Sequence, residues 1–160
     1  MEQHEDLKNI EMACLDFQEL DTLLLYEIMK LRQEVFVVEQ NCPYLDADGV
    51  DLDSHHVTLH YGGILVAYAR VVPPGLSYPS YSSVGRVITH PDHRVRGLGS
   101  QLMSYAAEQA QLLFPDHDIK ISAQCYISEF YSKLGFVKVG EEYLEDNIPH
   151  IGMVLARIMD

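Results

Sequence analysis

The sequence predicts an α/β fold in which a single mixed, mostly antiparallel twisted sheet is flanked by helices. Three observations carry that expectation. Apolar residues recur every three or four positions over residues 21–39, two β-rich runs flank Gly62-Gly63, and a strand–loop–helix–strand succession over residues 83–123 calls for a β-α-β crossover. With 160 residues, 48% apolar and 22% charged, the chain has the size and composition of one packed unit, and a single domain over residues 1–160 is expected.

The first helix is read from Leu24, Ile28, Leu31 and Val35, with Leu25, Met29 and Phe36 beside them. Asp21 is its expected N-cap, and Pro43 stops the pattern because its ring cannot continue a helix. Residues 40–54 then form a polar loop carrying Asp46, Asp48, Asp51 and Asp53. Residues 56–61 and 64–72 read as a hairpin around Gly62-Gly63, ended by Pro73-Pro74-Gly75. A third strand is expected over residues 83–89. Leu98, Leu102, Tyr105, Ala106 and Leu113 mark a second helix that stops before Pro115. A strand over 119–123, a short helix over 127–134 closed by Gly135, a strand over 136–139, an acidic loop and a last strand over 151–158 complete the order.

Eleven Lys and Arg against 24 Asp and Glu leave a net charge of −13, which argues against a nucleic-acid partner, whose phosphates require basic residues. Cys14, Cys42 and Cys125 are odd in number, widely spaced and without C-x-x-C spacing, so no disulfide framework or zinc site is expected. No apolar run approaches the ~18–20 residues that span a bilayer, and residues 1–6 lack a signal-like pattern. A cytoplasmic protein without membrane contact is expected.

The most informative stretch is residues 85–100. A strand runs into a loop containing Gly97 and Gly99, and the loop opens directly into a helix. Helix-initial N–H groups lack intrahelical acceptors and, with the helix dipole, favour an anion such as a pyrophosphate. Arg86, Arg94 and Arg96 crowd the same stretch, where Asp92 is the sole acid, inverting the charge of an acidic chain. No Gly-Lys-Ser/Thr follows, so this is not a P-loop, and the third glycine of a dinucleotide fingerprint is missing.

Arg94-Val95-Arg96-Gly97-Leu98-Gly99 resembles the acyl-CoA pyrophosphate loop of the GNAT superfamily of N-acyltransferases, and Phe130-Tyr131-Ser132-Lys133-Leu134-Gly135-Phe136 resembles a second signature of that superfamily. Residues 31–44, Asp46-Ala47-Asp48-Gly49, Ala67-Tyr68-Ala69-Arg70, Gly85-Arg86-Val87 and residues 145–153 are similar to the ElaA-type branch. The resemblance spans nearly the whole chain and implies the GNAT fold, a sheet splayed at its central strands, and acetyl-CoA as co-substrate. It implies that the backbone of Val87, Ile88 and Thr89 pairs with the pantetheine arm, with the N–H of Thr89 or Ile88 as oxyanion donor. The N–H groups of Arg94, Val95, Arg96, Gly97, Leu98, Gly99 and Ser100 would hold the pyrophosphate. Gln124, where many relatives have Asn, would reach the cofactor, and Tyr131 would lie near the sulfur as general acid. Superfamily habit also admits a homodimer.

The implied chemistry sets its own demands. An amine with a pKa of about 10 must lose a proton before it attacks a thioester, so a base is needed. Glu39, Asp48, His56 and His150 are the candidates, and the acids of residues 39–53 and 141–146 are expected to draw a cationic small amine or peptide amine to the acceptor side. The thiolate leaves with a pKa of roughly 8.5, so Tyr131 aids its departure without being indispensable. His55 and His56 beside four aspartates lack metal-ligand spacing, and no metal is expected. A nonenzymatic acyl-CoA-binding or protein-docking module is the alternative.

Overall fold

The computed structural model describes residues 9–94 and 97–159. Its strands are β1 (Ile10–Asp16), β2 (His55–Tyr61), β3 (Ile64–Val72), β4 (Ser83–Thr89), β5 (Ile119–Gln124), β6 (Val137–Glu145) and β7 (Ile148–Leu155). Its helices are α1 (Thr22–Arg32), α2 (Leu98–Leu113) and α3 (Ser128–Lys133). The α/β, mostly antiparallel expectation holds, with one strand more than expected. β1 pairs antiparallel with β2, Ile10 opposite Tyr61 through Asp16 opposite His55. Its sequence alternates apolar and polar residues only over Ile10-Glu11-Met12, and Ala13-Cys14-Leu15 breaks the period-2 signal.

Asp21 caps α1 as its position suggests, its carboxylate accepting the N–H of Leu24 at 2.7 Å. The helix expected to run to Glu39 changes its winding at Gln33. Residues Gln33–Glu39 form a π-helix, with i→i−5 bonds such as Gln40 N–H to the Val35 carbonyl at 3.1 Å. Glu34 and Glu39, about 140° apart on an α-helix, thereby both reach the chain that follows β4: Glu34 lies 3.8 Å from His90 and Glu39 2.7 Å from Arg94.

The strands form two ladders, β1-β2-β3-β4 and β5-β7-β6. They meet at one parallel bridge, where the Ser82 N–H donates to the Asp118 carbonyl at 3.2 Å and the Lys120 N–H to the Ser82 carbonyl at 2.9 Å. Beyond it β4 and β5 share no ladder, so the central strands are splayed. One core lies under α2, where Leu102, Met103, Ala106 and Ala110 pack on Val57, Ala67, Ala69, Ile121 and Met153 from both ladders. Each fully buried large side chain there contributes about 2 kcal/mol. A second core joins Ile28, Leu31 and Val35 to Leu65, Tyr68 and Ile88. β3 is therefore covered on both faces, and β4 is held at a fixed height between α1 and α2.

The acidic loop expected after a short strand is instead the far half of β6, which runs to Glu145 and turns at Asp146-Asn147. Gly140, at φ +74°, marks an irregular pairing between Val139 and Tyr143, so the strand continues through Glu141 and Glu142.

Candidate active site

The divergence of β4 from β5 leaves one edge of β4 open. The His90 N–H donates to the Val66 carbonyl at 2.7 Å, which makes residues 66 and 90 a hydrogen-bonded pair; by alternation Tyr68 and Ile88 are another. The N–H and C=O of Thr89 therefore point away from β3 into the cleft, while those of Ile88 are turned into the ladder. Val87, two residues before Thr89, shares its outward sense. Two donors turned away from β3 on an extended backbone are what a ligand carrying amide groups and a thioester oxygen can use.

Arg86 creates this phase. Tyr68 pairs with Ile88 but Arg70 with Gly85, so Arg86 and Val87 together oppose Ala69 in a β-bulge. Arg86 takes φ +51°, a left-handed backbone that costs a non-glycine residue about 1–2 kcal/mol. The bulge sends its side chain toward residues 40–54: Nε meets Asp46 Oδ1 at 2.8 Å, Nη2 meets the Asp46 carbonyl at 3.3 Å and Asp48 Oδ2 at 3.4 Å. The guanidinium carbon lies 6.0 Å from the Phe36 ring centroid and 5.8 Å from that of Tyr44.

Asp46 and Asp48 belong to a larger alternating network. Arg32, wholly buried, donates to Asp46 Oδ2 at 2.7 Å and Asp51 Oδ1 at 2.6 Å; Arg70 donates to Asp48 Oδ1 at 2.8 Å and Asp51 Oδ1 at 2.9 Å. Burial by itself would raise the pKa of Asp48 and Asp51, but the hydrogen bonds and charge of Arg70, and for Asp51 also of Arg32, outweigh it and hold both below the usual carboxylate range. Asp46, Asp48 and Asp51, expected to draw a cationic acceptor, are instead paired with arginines of the chain itself. Three arginines neutralise three aspartates, and the loop they hold is a buttress. Arg86 likewise faces these acids and supplies no free charge to an anion.

At the open end of β4, α2 begins on Gly97 at φ +68° with no side-chain cap, so its first N–H groups are free of capping side chains among the described residues. Val95 and Arg96 lie outside the described residues. A Cβ on Gly99 would meet Thr89 Oγ1 at 3.3 Å, so the glycine brings the helix start up to the end of β4. Leu98 points into the core at 2% exposure, leaving Gly97, Gly99 and Ser100 on the helix entrance. Arg94 spans the mouth, its Nε on the Thr89 carbonyl at 3.0 Å and Nη1 on Glu39 at 2.7 Å.

Tyr131 on α3, 8% exposed in the core under α2, is edge-on to Phe130 at 5.1 Å and Phe136 at 5.9 Å. Burial, with a smaller contribution from Tyr126, pushes its pKa up to about 12, so its phenol keeps its proton at neutral pH. Gln124 ends β5 opposite His150 on β7. His150 is 7% exposed; its Nδ1 donates to the Ile148 carbonyl at 2.7 Å, and Nε2 lies 3.3 Å from Glu145 Oε2. Glu145 is also held by Ser122 at 3.3 Å, and Ser122 bonds to Tyr143, whose ring stacks on His150.

The structure separates the four candidate bases. His56 is sealed beneath the buttress: Nε2 donates to the Asp51 carbonyl at 2.9 Å, so Nδ1 accepts from the Tyr68 hydroxyl at 2.7 Å. Burial lowers its pKa despite the Asp51 carbonyl, and it stays neutral and out of reach. Asp48 is engaged by Arg70 and Arg86, and Glu39 by Arg94. His150 alone of the four stands beside β5 with its outer nitrogen turned to a half-exposed carboxylate. Sequence reasoning assigned no role to Arg32, Arg70, Ser122 or Tyr143, and read Glu145 only as one of the acids of residues 141–146. Arg32 did leave a signal, since it falls on the apolar stripe of α1, where a charge requires buried counter-ions.

Among the described residues no three His, Cys, Asp or Glu side chains converge as metal ligands, and no helix is long and apolar enough to cross a membrane. Residues 33–157 match the family model described as an acetyltransferase (GNAT) domain. ElaA of Escherichia coli K12 is 42% identical over 146 residues, covering 90% of this chain and 95% of that protein, and a UPF0039 protein of Schizosaccharomyces pombe is 40% identical over 151 residues, covering 93% and 99%. The crystal structure of E. coli ElaA superposes with a TM-score of 0.86, and that of an acyl-CoA N-acyltransferase from Pseudomonas aeruginosa with 0.85 at 42% identity, each covering 92% of this chain and 99% of the other.

Proposed function

The chain belongs to the GNAT acetyltransferase family, in its ElaA-like branch, and on that premise we propose that it transfers an acetyl group from acetyl-CoA to a primary amine by direct attack within a ternary complex. The observation that carries the reading is the outward direction of the Thr89 N–H on the splayed edge of β4, with the start of α2 brought against Thr89 at Gly99.

Val87 and Thr89 offer their backbone to the pantetheine arm, and the start of α2 holds the pyrophosphate on its N–H groups. The amine nitrogen forms its bond to the carbonyl carbon while the thioester oxygen gathers charge against the Thr89 N–H. As the C–S bond breaks, Tyr131 gives its proton to the sulfur. His150 takes the proton that the amine must shed, and Glu145 steadies the resulting imidazolium. The acceptor is a small amine or peptide amine. The three cysteines, free in the structure, support a cytoplasmic setting.

Thiol release from acetyl-CoA over a panel of primary amines tests the reading, with wild type set against Tyr131→Phe and Gly97→Glu. Amine-dependent release that falls in both variants supports it. Tight acetyl-CoA binding with no amine ever raising release overturns it in favour of a binding module.

A further inference from the structure

We propose that Arg86 is a positioning residue that ties the acceptor-side loop to the acyl-binding strand, so that residues 40–54 and the cleft-facing N–H of Thr89 hold their places as one body. The inference rests on the transferase reading for what Thr89 does, and on geometry alone for the tie.

The bulge decides which N–H reaches the cleft. Had β4 continued the register of Gly85 opposite Arg70, Val87 would face Tyr68, and every later group would be turned over. The N–H of Ile88 would then point outward and that of Thr89 into β3, while the Ile88 side chain would leave the core it shares with Leu31 and Tyr68. One extra residue at position 86 sets the phase of the whole strand end.

Nothing local favours that residue's backbone. Arginine has no preference for φ +51°, and a glycine would accept it without strain. What holds Arg86 there lies outside β4: Asp46 at 2.8 Å, Asp48 at 3.4 Å, and the rings of Phe36 and Tyr44 on the guanidinium. These partners all belong to the π-helix and the loop after it, and Asp46 and Asp48 are themselves fixed by Arg32 and Arg70. A loop of this length without such anchors would sample many arrangements. The same contacts that order the loop therefore keep the strand in phase.

Arg86→Gly separates the side chain from the backbone, because glycine keeps the left-handed conformation and removes the tie. Amide exchange resolved by residue reads both ends, at Val50, whose N–H bonds Asp48 at 3.1 Å, and at Ile88, whose N–H is bonded into β3. We expect exchange at both to accelerate at least tenfold in Arg86→Gly. Amine-dependent thiol release should lose at least tenfold in kcat while the acetyl-CoA dissociation constant moves less than threefold. Arg86→Lys, which keeps charge and stem, should recover part of both. Acceleration at Val50 alone, with Ile88 and kcat unchanged, or no acceleration at either, overturns the proposal. If wild type releases no thiol with any amine, the transferase reading fails while the paired exchange still decides the tie.

Discussion

Arg94 and Glu39 meet at 2.7 Å across the mouth of the cleft, joining the end of the π-helix to the loop that enters α2. Both side chains are about two-fifths exposed, so the pair by itself contributes little to stability. Its consequence is electrostatic, since a carboxylate stands where a phosphate-bearing ligand must approach. Glu39→Gln is expected to tighten acetyl-CoA binding two- to fivefold at low salt, with the gain shrinking as salt rises. Calorimetric titration at two ionic strengths measures it.

The oxyanion donor should outweigh the proton donor. Gly99→Val presses on Thr89 Oγ1, which would stand 3.3 Å from the new Cβ, and the added methyl groups displace the strand end. Loss of one oxyanion donor typically lowers kcat by about 10²–10³. Tyr131→Phe, acting on a thiolate that leaves readily, is expected to lower it by roughly tenfold, below the usual contribution of general acid catalysis of about 10²–10⁴. Steady-state thiol release ranks the two.

Breaking the buttress should unfold the protein sooner. Arg32→Met leaves Asp46 and Asp51 buried without their main counter-charge, a change expected to remove about 3–5 kcal/mol. Urea denaturation reads this directly. Because Asp46 is bound to Arg32 and Arg86, Asp46→Asn should likewise act on stability before it acts on acceptor affinity.

Acid should weaken the fold in two stages. Burial depresses the pKa of His56, so protonation favours the unfolded chain; stability is complete above the ordinary histidine value of 6.5 and declines as pH drops below it. Asp48 and Asp51 are depressed as well, and the stability they contribute, full above 3.8, is lost as pH falls through their lower folded values. Unfolding midpoints measured from about pH 8 to about pH 3 should show both declines. His56→Gln should flatten the first and leave the second.

Much of this was legible in the chain. Leu24, Ile28 and Leu31 reported α1 because a helix repeats its face locally, and Gly97 and Gly99 reported the helix entrance because a turn is written in adjacent residues. The buttress was not, because Arg32, Arg70 and Arg86 find their aspartates 14 to 40 residues away, and no periodicity links such positions. The bulge escaped for the same reason, since Arg86 carries no local mark of a left-handed backbone. Glu141 and Glu142 looked like loop because charge on an edge strand, exposed on both faces, has the composition of a loop.

The six interlocked charges of the buttress also bear on how such a protein could change its substrate. A single replacement among Arg32, Arg70, Arg86, Asp46, Asp48 and Asp51 strands a partner, so these positions are expected to drift only in compensated pairs. Leu45 and Leu52, on the same loop, are 81% and 60% exposed and carry none of these charges. Inheritance of a new acceptor is therefore channelled through such free positions, on a scaffold that lets the surface vary while the six beneath it stay still.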